Sequence, residues 1–442
     1  MPSKDAAPSP DASMTRPWTR RRALSALGLT GAAVTGLAAC TSKSGSPTLV
    51  GPSGSAAPSP TEVKNGKATV SITSPKDGAD DAPAGLDVVF TAQDASSTKV
   101  ELVDAEGNAV DGDMHPDGTS WIPAKMLQWG TNYKVTVTAT DADGKTTIGT
   151  SAFATMAKPS KTVGFSSFLA DGQVVGVGMP MIIRLSRAIE SGDRAEVQRR
   201  LLVTTTPAQE GTWTWYSATE LHWRPKEFWQ AGTKVFVDVR IGGAPVGGGY
   251  FGRSDLTLDC TIGPSLVMTI DDRAKPKVMH VIKDGKTIRT IPVSLGRPTM
   301  PSSSGTTVII EKLANTVFDT MDDPNPANRY KTPIQFAQRL TWGGEFIHAA
   351  PWSVSDQGKR NVSHGCVNMS LANAQWLFSQ TLIGSPLTVK GTARALQWNN
   401  GWTDWDRPWD EYVKGSAIPY APPAPPSADP SGAPSASPST TG

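Results

Sequence analysis

The chain has 442 residues, 38% of them hydrophobic and 19% charged, with a net charge of +2. That length exceeds one core of ordinary size and implies two to four domains. The balanced charge, with no dense Lys/Arg block beyond Arg22, excludes nucleic acid as a partner. Three cysteines, Cys40, Cys260 and Cys366, are an odd and sparse set that makes no disulfide framework, so each needs its own explanation.

In chain order, the first element is an export signal over residues 1–40. Arg20, Arg21 and Arg22 precede an apolar run from Ala23 to Ala39 that is too short and too small in its side chains to span a membrane comfortably. The run Leu37-Ala38-Ala39-Cys40 resembles a bacterial lipobox. That resemblance implies lipidation of Cys40 and a membrane anchor on the outer face of the cytoplasmic membrane, in the cell envelope. Export follows either the Sec or the twin-arginine route, since the basic cluster suits both. Residues 41–62 are rich in Pro, Ser and Gly and form a tether whose coil dimension is on the order of 25 Å.

The mature chain is expected to be mainly β. Residues 63–157 and 158–262 each read as an immunoglobulin-like β-sandwich, because runs such as Leu86–Thr91, Tyr133–Thr138, Met181–Leu185 and Thr233–Ile241 alternate apolar and polar residues between turn signals. Ile189–Arg200 reads as a short helix. His115 and His222 stand alone in sequence, the pattern of surface or satisfied residues, and both sandwiches read as spacers or as binders of glycan or a partner. Cys260, at the junction with the next domain, reads as a small buried residue.

Residues 263–392 change texture. Asp284-Gly285 between two strand-like runs signals a hairpin, Thr307–Glu311 continues the β pattern, and Leu371–Gln380 is helical with Ser370 as its cap. Residues 393–418 hold Trp398, Trp402, Trp405 and Trp409, a density that means packing, most simply on the side of the preceding domain, with carbohydrate stacking as the second reading. Residues 419–442 are a Pro/Ala/Ser-rich tail expected to lack structure.

The chemistry concentrates in Phe346-Ile347-His348-Ala349-Ala350-Pro351-Trp352 and Ser363-His364-Gly365-Cys366-Val367-Asn368. A free thiol is mostly protonated at neutral pH. An imidazole brought to Cys366 by folding can take its proton and hold the thiolate. Gly365 permits close backbone approach or positive φ, which would aim N–H groups at an oxyanion. A buried structural cysteine is the plainer reading, but polar neighbours make this a poor core sequence. Zinc bound by His348, His364 and Cys366 is a third reading, weakened by two ligands separated by a single Gly.

The pattern of His348, fourteen intervening residues and then Ser-His-Gly-Cys-x-Asn resembles the L,D-transpeptidase catalytic domain, and the layout resembles its multidomain actinobacterial type. The resemblance implies a mostly β catalytic domain after the two sandwiches, needing no cofactor and no metal. It implies Cys366 as nucleophile, His348 as general base and the Ala349 carbonyl as the group that orients that base. It implies Tyr330 and the N–H groups of Gly365 and Cys366 at the oxyanion, with Ser363, His364, Asn368 and Trp352 shaping the substrate site. Peptidoglycan stem peptides are the implied partners, joined as 3→3 cross-links or merely trimmed, and carbapenems the implied acylating agents of Cys366. Phe318–Asn328 takes the position of a lid but is diverged and yields no contacts from sequence.

Overall fold

Strand alternation becomes burial most clearly in Asn132–Thr140, where Tyr133, Val135, Val137 and Ala139 are buried and their neighbours face outward, as a period of two requires. The computed structural model describes residues 66–422 apart from 116, 117 and 119. The basic cluster, Cys40, the tether and the tail from residue 423 lie outside the described residues. The first sandwich stacks the sheet of Thr69–Ser74, Val88–Gln93, Ser120–Pro123 and Gly112–Met114 on that of Ala109–Val110, Ser97–Asp104, Asn132–Thr140 and Thr146–Ala154. Trp121, Tyr133 and Phe153 join its core.

The second sandwich pairs a sheet of Phe165–Ser167, Met181–Leu185, Glu220–Pro225 and Gly211–Ser217 with one of Gln173–Val175, Leu256–Ile262, Lys234–Val239 and Leu201–Thr206. The expected helix shrinks to a 3-10 turn at Ser191–Asp193 and Arg194–Gln198. Cys260 is buried beside Met181, and burial pushes its thiol up to about 12. His115 is buried and its Nε2–H donates to the Arg199 carbonyl at 2.6 Å, across the junction between the sandwiches.

In the third region the sheet order is Lys286–Pro292, Val278–Lys283, Leu266–Asp271, Pro386–Lys390, Ser303–Val308 and Arg394–Ala395. A second sheet runs Glu311–Asp319, Lys331–Arg339, Phe346–Ala349 and Val367–Met369. Asp284 and Gly285 both have positive φ, 48° and 77°, the turn that matches strand twist. The single strand expected over 307–311 is broken. Ile309 and Ile310, both buried, carry the chain from the first sheet to the second, so apolar character there marks a crossing rather than one ladder. The helix Leu371–Gln380 is capped by Ser370, whose Oγ accepts from the Asn373 N–H at 3.3 Å. Ala374 and Leu377 bury its inner face against the second sheet.

The tryptophan segment does not pack mainly on the side of this third region, as expected. Trp402 is a member of the second sandwich's core, the Trp405 indole N–H donates to the Gly178 carbonyl at 2.7 Å, and Trp398 lies against Tyr216. The reason lies in complementary chemistry on that sandwich. Arg224 is sandwiched among Trp405, Trp409 and Tyr412, and His222 is fully buried between Asp404 and Glu220. His222, isolated in sequence, is thus a doubly ion-paired residue. The same segment also reaches the third region, where the Asp406 carboxylate accepts from the Thr306 N–H at 3.0 Å.

Candidate active site

His348 sits within Phe346–Ala349, and Cys366 immediately precedes Val367–Met369, its parallel neighbour. The register pairs Ile347 with Val367 and His348 with Asn368, which sets Cys366 level with Phe346. Positions two apart share a face of a strand, so the His348 and Cys366 side chains project on the same side. Both line a groove of about 360 Å³, together with Phe318, Tyr330, Trp352, Ser363, His364 and Asn368. Folding therefore brings together residues from four separate stretches of chain. Ala349 contributes its carbonyl but does not line the groove.

Each member of the pair is held in its neutral form. The His348 Nδ1–H donates to the Ala349 carbonyl at 2.8 Å, which leaves Nε2 as the acceptor. Phe318 meets the ring edge-on at 5.2 Å between centroids. Burial brings His348 down to about 4. The Cys366 thiol donates to the Gly344 carbonyl at 3.6 Å and receives the Phe346 N–H. Burial pushes it up to about 12, and the neighbouring Glu345 carboxylate adds to the effect. Burial therefore favours the neutral pair over a thiolate held by an imidazolium in the free protein. Desolvation disfavours both charges, and Nε2 is left as an acceptor in the groove that Cys366 also lines.

The turn before Cys366 is built around Gly365, with φ +124°, a region open to glycine. Its N–H donates to Ser363 Oγ at 3.1 Å, while the Ser363 hydroxyl donates to the Cys366 carbonyl at 2.6 Å. The Gly365 N–H is therefore occupied and not the oxyanion donor expected, because the turn consumes it. Ser363, though it lines the groove, spends its side chain on shaping this turn. The half-buried Tyr330 keeps its proton, since burial and the nearby Cys366 sulfur both raise its pKa, so its hydroxyl is available as a donor.

Around this turn, the positive φ sends His364 away from Cys366. The His364 ring lies 5.2 Å from that of Tyr330, and its Nε2 accepts from Arg297 at 2.9 Å. Burial first, then Arg297, keeps His364 neutral by lowering its pKa. Asn368 is buried, donates to Ser353 Oγ at 3.2 Å and leaves its Oδ1 without a partner. Trp352, 58% exposed, forms the groove's rim 6.1 Å from the His348 ring.

The loop between Glu311–Asp319 and Lys331–Arg339, given by sequence reading a lid's position and Tyr330 but no other contact, carries more than that. It places Ala327, Arg329 and Tyr330 on the groove, and Asn328 Oδ1 accepts from Arg297 at 3.0 Å. Arg297 thus bridges this loop to His364. Only its place after the buried run 293–296 distinguishes it, which is no signal in sequence of a contact 67 residues away.

Comparison with known proteins finds relatives over most of the chain. Residues 268–389 match the L,D-transpeptidase catalytic domain family, and residues 79–245 match a bacterial Ig domain family. The chain is similar to L,D-transpeptidase 2 of Mycobacterium tuberculosis, at 34% identity over 79% of this chain and 85% of the relative. It is similar to L,D-transpeptidase 5 of the same species, at 34% identity over 78% and 76%. The solved structure of LdtMt1 in complex with imipenem is 31% identical, with 52% of this chain and 100% of that one covered and a TM-score of 0.44.

Proposed function

Because the chain belongs to the L,D-transpeptidase family, acyltransferases that cross-link peptidoglycan, we propose that Cys366 is the nucleophile and His348 the general base of a two-step acyl transfer that forms 3→3 cross-links. The observation that carries this reading is that the two side chains line one groove while His348 Nδ1 is committed to Ala349, leaving Nε2 to accept the thiol proton. In the first step the Cys366 sulfur attacks the carbonyl of the third stem residue. Nε2 takes the thiol proton and passes it to the departing amine of the terminal D-Ala. In the second step the side-chain amine of another stem attacks the thioester, loses its proton to Nε2 and releases the thiol. The broken peptide bond supplies the energy. Tyr330 and the Cys366 N–H would donate to the oxyanion, and His364, Asn368 and Trp352 would border the bound peptide.

Carbapenems, through their strained amide, would acylate the same sulfur, and the imipenem complex of a relative favours that reading. Anchoring by lipid at Cys40, outside the cytoplasmic membrane, completes the proposal, with the sandwiches as spacers.

Intact mass spectrometry after meropenem tests the nucleophile. The wild-type protein should gain one drug-sized adduct, and Cys366→Ser none. An adduct that persists in the serine variant refutes the assignment. His348→Gln should slow acylation by roughly 10²–10⁴-fold. Incubation with disaccharide tetrapeptide separates the outcomes of the second step: dimers indicate transfer to an amine, and tripeptide monomers alone indicate transfer to water.

A further inference from the structure

The groove is lined by neutral side chains except at one place. Among its lining residues Arg329 alone carries a formal charge, His348 and His364 being neutral, and none of them is acidic. Among the described residues no carboxylate pairs with Arg329. Exposed at the groove, it is nonetheless tethered to its loop. It ends the 3-10 turn Pro326–Asn328, its N–H reaching the Pro326 carbonyl at 3.2 Å, and its Nε–H donates to the Asp323 carbonyl at 2.7 Å. The turn itself is held by Asn325, which accepts from the Ala327 N–H, and by the Thr320 hydroxyl, which donates to the Asn328 carbonyl at 2.7 Å.

A second cation stands behind it. Arg297 donates to His364 and Asn328, both neutral, and to Met300, and likewise has no carboxylate partner among the described residues. The Asp323 side chain is close enough to act on His364. Its carboxylate accepts the Asn325 N–H at 2.8 Å and pairs with neither arginine. An unpaired guanidinium tethered at a groove of neutral residues suits an anion, and its planar fork suits a carboxylate in particular.

We propose that Arg329 is a specificity-determining residue that recognises one carboxylate of the bound peptide. This rests on the reading of the groove as the site of stem-peptide acyl transfer. The carboxylate is either the C-terminal one or one on a side chain.

The test measures binding by calorimetry on the Cys366→Ser protein at low salt. The probes are a synthetic tetrapeptide stem with every carboxylate free and versions amidated at one carboxylate at a time. One amidated stem should bind about tenfold more weakly than the free stem, which identifies the carboxylate read, and added salt should narrow the gap. Adding Arg329→Gln should abolish the difference, and Arg329→Lys should keep part of it. Equal affinities for all stems, discrimination unchanged by Arg329→Gln, or no binding of any stem overturns the inference. Turnover by the wild-type protein is scored separately. Its absence strikes the acyl-transfer reading, whereas turnover without discrimination strikes only the role of Arg329.

Discussion

At Cys366 and His348, burial disfavours the charged form of each group. With the imidazole pulled down to about 4 and the thiol pushed up to about 12, both groups are neutral across the range between those values. A protein in this state should show no ultraviolet thiolate absorbance at neutral pH that disappears in Cys366→Ser. Acylation by meropenem needs unprotonated Nε2. Its rate should therefore hold steady from neutral pH down through the ordinary histidine range and fall about tenfold per pH unit below about 4. A break near the ordinary histidine value would show that the ring is more solvated than its surroundings indicate. At Gly365 the cost of a side chain is conformational. A Cβ there would meet Arg394 only at 3.6 Å, but φ is +124°, so Gly365→Ala should cost about 1–2 kcal/mol and slow acylation by displacing the sulfur.

The element with the most consequence outside the groove is the tryptophan segment. Its hold on the second sandwich combines apolar burial with charge. Trp402 is 2% exposed and Tyr412 0%; Trp402→Ala should cost about 3–5 kcal/mol. His222 adds a dependence on pH. Burial opposes its charge, but Asp404 and then Glu220 outweigh that and raise it to about 9. A histidine whose folded pKa lies above its unfolded value of about 6.5 stabilises fully below the unfolded value and loses that stabilisation as pH rises through the folded one. Thermal stability should accordingly decline between about pH 6.5 and 9. His222→Gln should lower stability at neutral pH and flatten that decline. An unaltered slope in the variant would assign the pH dependence to other groups.

Across the whole described chain, the second sandwich is the hub. Its backbone meets the catalytic region directly, with Gly176 and Gly178 N–H groups donating to the carbonyls of Ile383 at 2.7 Å and Gly384 at 2.9 Å. A Cβ on Gly176 would lie 2.3 Å from the Ser385 nitrogen, so no other residue permits that approach without a shift. The contact with the first sandwich adds ion pairs to the His115–Arg199 hydrogen bond. Asp87 faces Arg200 at 2.6 Å and Arg199 at 3.3 Å, and Arg240 reaches Asp113 at 2.8 Å. Asp87→Ala leaves the buried Arg200 without its carboxylate and should cost about 3–5 kcal/mol. The loss should appear as faster proteolysis between the sandwiches, with Cys366 still acylated at the wild-type rate. A protease pattern identical to the wild type would show that the two sandwiches are held by other contacts.

Local pattern alone determined much of this protein. Period-two alternation located the sandwich strands, Asp284-Gly285 the hairpin and Ser370 the helix start, because each depends on neighbours within a few residues. The cluster from His348 to Asn368 was legible too, since reactive residue types so close together make a poor core. What sequence could not supply was decided by contacts between distant segments. Ser363 takes the Gly365 N–H, desolvation leaves the reactive pair neutral, and Arg297 ties the loop to His364. The tryptophans lie on the second sandwich because Asp404 completes His222 and their rings enclose Arg224. Burial and charge pairing of this kind are properties of three-dimensional surroundings, and only the tertiary structure could set them.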